Sequence, residues 1–256
     1  ALKSTIGDNA DIRCGFTVKV VSRIRAEDMN GFMITGQAGS AGNTEMIFAD
    51  NVILSMGGKA APQYGTTGDG YGIAKALGHT VTRVYPILTG IECEKNGVDF
   101  SVLKGIRARG RVTLNKDGRA VASETGEIQF TENGISGICV FNLTPYIKAE
   151  EGENAREAMK RFTVSVDLAP DFTQEETAGR ESTFGILTAP LSEVVGIKDI
   201  KNWTLRVDGV RGWRDAQATS GGIPLDEINM DTMESVIVPG MYFAGEIIDV
   251  QGPCGG

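Results

Sequence analysis

The chain is 256 residues long, 41% apolar and 23% charged, which is material for one large hydrophobic core or two modest ones. With 33 acidic against 25 basic residues its net charge is −8. A protein that neutralises many phosphates needs the opposite balance, so nucleic acid is not expected as the main partner. The longest apolar runs, such as Val52–Met56 and Gly137–Leu143, fall far below the roughly 20 residues of a membrane-spanning helix, and no membrane partner is expected.

In chain order, Thr17–Ile24, Gly31–Thr35 and Thr44–Phe48 predict short strands with part-exposed faces. Asn51–Met56 is nearly all apolar and predicts a strand buried on both faces, ending in Gly57-Gly58. After a polar loop, Asp69 is placed to cap a helix over about Gly70–Leu77, with Ile73, Ala74 and Leu77 on one face and Gly78 as the stop. A buried strand, a glycine turn, a loop and a helix read together as α/β architecture. From about Thr89 the texture turns β-rich. Ile106–Leu114 and Arg119–Ser123 flank an Asn115-Lys116-Asp117-Gly118 turn and predict a hairpin, with another strand near Glu127–Phe130. Gly134–Ile147 predicts a largely buried helix closing at about Pro145, and Phe162–Leu168 predicts a further strand. Thr173-Gln174-Glu175-Glu176 fits a capping box at the start of a short helix. Met241–Val250 returns to an apolar strand, broken at Gly245-Glu246 and followed by a glycine cluster to Gly256.

The motifs divide between chemistry and plain structure. Gly68-Asp69-Gly70-Tyr71-Gly72 lacks the third glycine of a G-x-G-x-x-G, so contact with a ligand and simple turn chemistry stand level. Arg107, Arg109 and Arg111 share one strand face, and a solvated face is favoured over an anion patch. His79 follows a helix C-terminus, which predicts a structural role before a catalytic one. The four cysteines (Cys14, Cys93, Cys139, Cys254) contain no Cys-x-x-Cys, and one histidine completes no zinc site. Reduced thiols, no metal and a cytoplasmic setting are expected. Cys254, between Pro253 and Gly255, reads as a small residue in a tight turn ahead of a redox thiol. No Ser-His-Asp set stands out, so hydrolysis has no support.

Three segments carry a resemblance: ADNVILSMGGKAAPQYGTTGDGYGIAKALG over 49–78, TSGGIPLDEINMDTMES over 219–235, and VPGMYFAGEIIDVQGPCGG over 238–256. In this order they resemble the HI0933-like flavoprotein family, which includes the BaiN-type bile-acid reductases and aminoacetone oxidase. The resemblance implies an FAD-dependent oxidoreductase with a small-molecule substrate and NAD(P)H as a candidate electron donor. It implies an α/β fold in which a partial Rossmann-like FAD-binding domain (residues 1–88 and 210–256) is interrupted by a mainly antiparallel β-rich insert (89–209). Cofactor contacts are then expected at Gly57 and Gly58 and at Gly245 and Glu246, with Asp249 as the second acidic candidate. Gly255 and Gly256 are expected at the helix turn facing the flavin pyrimidine ring. Met56 departs from the small or hydroxyl residue usual in the family, and the helical part of the insert after Glu176 looks abridged. The family's G-x-G-x-x-G, its acidic ribose ligand and its final helix have no counterpart here. A piece of a larger fold is therefore expected, and the alternative to an active oxidoreductase is a catalytically silent module that holds little or no FAD. A sheet edge opened in this way is expected to favour self-association.

Overall fold

A computed structural model of the chain describes residues 10–26, 29–39, 42–95 and 97–254. These form two compact units. One takes the residues up to Met56, Asp69–Val81 and Ile223–Ile248, and the other takes Gly57–Gly68, Thr82–Gly222 and the residues from Asp249 on.

The first unit begins with an antiparallel meander of β1 (Phe16–Ala26), β2 (Met29–Ala38) and β3 (Thr44–Ala49), in that spatial order. The three predicted strands are present, each extended at one or both ends. Pairing of Val21 with Ile34 and of Ile34 with Ile47 sets one face, on which Val21 and Phe32 are buried. The opposite row, Val20–Thr35–Met46, faces outward. Beside the meander, β4 (Val52–Leu54) pairs in parallel with β13 (Met241–Phe243), Leu54 lying opposite Phe243. The expectation that 51–56 is buried on both faces does not hold. Leu54 is buried but Ile53 is 64% exposed, because strand alternation turns it away from the core that receives Leu54. Met241–Val250 is likewise strand only as far as Phe243, after which Gly245, at φ +79°, turns the chain.

Helix α1 (Asp69–Ala76) buries Tyr71, Ile73 and Ala74. Its end is a Schellman motif: the Gly78 N–H donates to the Lys75 carbonyl and the His79 N–H to the Ala74 carbonyl, with Gly78 at φ +100°. Gly78 is thus the stop that the sequence predicts.

The second unit is built on a closed six-stranded barrel. Its strands are β6 (Ile91–Cys93), β7 (Arg107–Lys116), β8 (Arg119–Thr131), β9 (Gly134–Ser136), β10 (Phe162–Asp167) and β11 (Trp203–Val210). The spatial order is β10-β11-β6-β9-β8-β7, and every neighbouring pair is antiparallel. Val112, Leu114, Ile128, Val164 and Val166 point inward, and Trp203 lies 6.0 Å from the ring of Phe130 and 6.4 Å from that of Phe100. Beside the barrel, β5 (Tyr85–Ile87) pairs with β12 (Ala218–Ser220).

The β7–β8 hairpin turns on Asp117 and Gly118, at φ +52° and +76°, the signs a type I′ turn needs. Glu127–Phe130 is not a separate strand but the end of β8. Nor is Gly134–Ile147 one helix: it divides into β9, a four-residue α2 (Ile138–Phe141) and a 3-10 turn at Thr144–Tyr146. Apolar composition alone does not separate a buried strand from a buried helix. Here β9 is claimed by pairing with both β6 and β8, and Gly137, at φ +111°, bends the chain before the helix can start. The short helices α3 (Ala155–Met159), α4 (Gln174–Ala178) and α5 (Ala189–Val194) complete the unit. The capping box at α4 is formed: Glu176 N–H to Thr173 Oγ1 at 3.2 Å, and Thr173 N–H to Glu176 Oε2 at 2.7 Å.

A Cβ on residue 137 would lie 2.4 Å from the Glu127 carbonyl oxygen, on top of the strain of the positive φ. Gly137→Ala is expected to cost more than about 2 kcal/mol, read as a lower denaturant midpoint at unchanged slope.

Candidate cofactor site

In the first unit the functional candidates gather where the parallel pair ends. The Ala244 N–H donates to the Leu54 carbonyl at 3.1 Å, extending the ladder by one bond beyond Phe243. Gly245 then turns out of the pair, exposed, with no atom within 4 Å of where a Cβ would stand. Glu246 is half-buried, and its carbonyl lies 3.4 Å from the Tyr71 hydroxyl of α1. The first turn of α1 reaches the same place. A Cβ on Gly70 would meet Ile247 Cδ1 at 2.7 Å and Met56 Cβ at 3.3 Å. Gly70 is therefore a packing glycine whose space the protein itself fills, whereas Gly72 is open. Met56, the departure noted above, is part of that seat: its sulfur lies 3.5 Å from the same position.

The second unit holds the glycine turn. Gly57 sits at φ +73°, and the Gly58 carbonyl accepts from Thr66 Oγ1 at 2.5 Å. The next two amides, Lys59 and Ala60, donate to one hydroxyl, Thr219 Oγ1 of β12, at 2.8 and 3.0 Å. Thr219 is buried at 2% exposure, so the turn is fixed by a side chain about 160 residues away in sequence. Asp249 does similar work nearby in this unit. One carboxylate oxygen accepts from Thr82 Oγ1 at 2.8 Å and the other from the Gly221 N–H at 3.1 Å. Gly221 has no room for a side chain, since a Cβ would lie 2.4 Å from the Arg83 carbonyl oxygen. Burial holds the Lys148 ammonium below its ordinary value, against the opposing charge of Asp249.

Of the expected cofactor residues, Gly57, Gly58 and Asp249 therefore belong to the barrel-bearing unit, and Gly245 and Glu246 to the other. Gly255 and Gly256 lie outside the described residues. Cys254 is held in place, its N–H on Asn142 Oδ1 at 2.9 Å and its thiol on Gln217 Oε1 at 3.4 Å. All four cysteines are free, and burial pushes the Cys93 thiol up to about 12. Arg107, Arg109 and Arg111 are exposed and face Glu127, Asp171 and Thr125, as a solvated strand face does. Among the described residues no group of three or more His, Cys, Asp or Glu side chains could hold a metal ion, and no helix is long and apolar enough to cross a membrane.

One constellation escaped the sequence reading. His79 Nδ1 lies 2.8 Å from Glu227 Oε2, and His79 Nε2 lies 2.8 Å from Ser235 Oγ. This is a Ser–His–Glu chain, but a closed one. The His79 side chain has no exposure, and Ser235 Oγ already accepts the N–H groups of Ile237 and Val238 at 3.0 and 2.7 Å. No substrate atom can reach the hydroxyl, so the chain staples α1 to the 227–238 segment. The residues are 148 and 156 positions apart, and no local signal connects them.

The parallel pair of β4 and β13 beside α1 is an α/β arrangement. Residues 8–256 match the family model described as the HI0933-like protein Rossmann domain, and the chain belongs to that family. It is 31% identical, over 93% of its length and 65% of the relative's, to a 3-dehydro-bile acid delta(4,6)-reductase of Clostridium scindens. It is 25% identical to a ribosomal RNA dihydrouridine synthase of Escherichia coli, over 90% of the chain and 61% of the relative. The enzyme of the same name in Haemophilus influenzae is 28% identical over 80% of the chain and 56% of its own length. The chain thus spans less than two thirds of each of these relatives.

Burial pulls the Glu227 carboxyl up, but hydrogen bonds from Thr80 and His79 more than offset it and hold it below its ordinary value. A carboxyl depressed on folding gives stability that is complete above its unfolded value and is lost as pH falls through the folded one. Acid denaturation below the ordinary glutamate range is therefore expected to be shallower in Glu227→Gln than in the parent. His79→Ala should cost about 2–4 kcal/mol at neutral pH, because it empties the space of a fully buried ring and takes one hydrogen bond each from buried Ser235 and part-buried Glu227.

Proposed function

We propose that this chain is part of an FAD-dependent oxidoreductase that reduces a small organic substrate, with NAD(P)H as the source of electrons. The observation that carries the reading is the kinship with a reductase at 31% identity over 93% of the chain. The matched relatives are named as a bile-acid reductase and a dihydrouridine synthase; the reaction class carried over here is the addition of two hydrogens to a carbon–carbon double bond conjugated to a carbonyl. The barrel-bearing region is read as an insert, nominally 89–209, within a discontinuous FAD-binding domain of 1–88 and 210–256.

The residues fit such a cofactor. The exposed Gly245 turn leaves open space at the carboxyl end of a parallel pair, where ligands of α/β proteins sit. Glu246 beside it is the first candidate to accept hydroxyls of the ribityl chain. Asp249 is second, since both its oxygens are turned to Thr82 and Gly221. Gly57, Gly58, Gly255 and Gly256 would let backbone approach the rings. FAD, when bound, supplies the hydride. The chain's own part is to hold the cofactor, exclude water and orient the substrate.

The test is a visible spectrum of the purified chain after FAD addition and desalting, followed by NADH and NADPH oxidation with a conjugated enone. A retained flavin band and enone-dependent turnover are expected. Absence of saturable FAD binding, both here and in a protein spanning the relatives' full length, would overturn the reading. Glu246→Ala should weaken FAD about 10- to 100-fold, the worth of one charge-assisted hydrogen bond. Asp249→Asn should instead lower the melting temperature and leave FAD affinity within about threefold of the parent.

A further inference from the structure

At the amino end of the parallel pair, the first unit carries a cleft of about 450 Å³ lined by Arg23, Arg25, Leu77, Ile237 and Val238. We propose that this cleft is an anion site whose ligand is a phosphate monoester carried on an apolar body. The inference goes beyond the oxidoreductase reading and does not rest on it. Leu77 follows the last residue of α1, whereas Gly70, in the first turn, lies against Ile247 beside the expected cofactor residues. The helix between them has eight residues, a rise of about 12 Å.

Arg23 carries the inference. Strand alternation puts it on the same face of β1 as buried Val21, and its partner across the ladder is Phe32, which is wholly buried. The guanidinium lies over that ring, 5.4 Å from its centre, and Nη1 donates to the Pro239 carbonyl. Nε is buried and has no acceptor among the described residues. No acidic side chain lines the cleft, and no ion pair among the described residues involves Arg23 or Arg25. An arginine that only guards a sheet edge points into water. Arg23 is half-buried and held on two sides, so its charge is fixed in place without a counter-charge, at a desolvation cost that an anion would offset.

Arg25, two residues on, reaches the same cleft from an exposed position. Two guanidiniums match the charge of about −1.5 to −2 that a phosphate monoester carries at neutral pH, and their planar N–H forks suit its oxygens. The rest of the lining is apolar: Leu77 is half-buried, Val238 is buried and Ile237 is 42% exposed. The amides of Ile237 and Val238 both donate to Ser235 Oγ, which ties that wall to the His79 chain and keeps it in place. A fixed apolar wall beside two cations favours an anion with an apolar body over a bare ion.

The test is calorimetric titration of the full chain, without FAD, with phenyl phosphate, benzoate and benzyl alcohol in turn. Saturable binding of phenyl phosphate is expected, with benzoate about tenfold weaker for its single charge and no binding of the neutral alcohol. Arg25→Gln, at an exposed position, should weaken phenyl phosphate about tenfold, and Arg25→Lys, which keeps the charge, about threefold. Arg13→Gln removes an exposed arginine of the same unit that is already paired with Asp11, and should leave the affinity unchanged. No saturable binding of phenyl phosphate, equal losses in the Arg25 and Arg13 variants, benzyl alcohol bound as tightly, or displacement of the probe by FAD would each overturn the proposal.

Discussion

The imidazole of His79, bonded at both nitrogens and closed off from water, is the constraint on which the arrangement of the first unit depends. It follows directly on the Schellman end of α1, so its position fixes where that helix stops. Through Glu227 and Ser235 it draws in the segment that leads to β13, and its ring meets Phe243 edge-on at 4.9 Å. Phe243 is the strand residue opposite Leu54, the last before the chain leaves the parallel pair. A helix end, a loop and the carboxyl end of two strands are thereby referred to one side chain. A buried polar group with every partner in place is selective in this way: any shift of one element leaves a donor or acceptor stranded.

The second unit uses hydroxyls and a carboxylate for the same purpose. Thr219 gathers two successive amides of the glycine turn, Thr66 takes the carbonyl before them, and Asp249 ties Thr82 to Gly221. A glycine turn left alone would be flexible, since glycine gives up more conformational freedom on ordering than any other residue. Anchoring the backbone groups beside Gly57 and Gly58 removes that freedom, and Thr66 stands against the side of Gly57 where a Cβ would lie, 3.3 Å away.

What the sequence revealed was mainly local. The Asp117-Gly118 turn, the Thr173–Glu176 capping box and the Gly78 stop each depend on residues a few positions apart, and each is formed as read. The family was legible from three segments for the same reason, as contiguous runs of residues. The misreadings came where tertiary partners decide. Ile135 is apolar in a helix-like run but pairs with both Ile91 and Phe130, which makes it strand. Ile53 sits in an apolar run yet faces outward. The Ser235–His79–Glu227 chain and the Thr219 and Asp249 anchors join residues far apart in the chain, and their composition is unremarkable until the fold closes.

Closure of the barrel has its own consequence. Each of the six strands has a neighbour on both sides, so none can peel away without breaking two ladders at once. The ladders are unequal, however: β7 and β8 share ten residue pairs, whereas β6 and β9 meet through two. Opening of that unit is therefore set by its shortest seam, with the long hairpin holding the two halves of the sheet together while the seam parts.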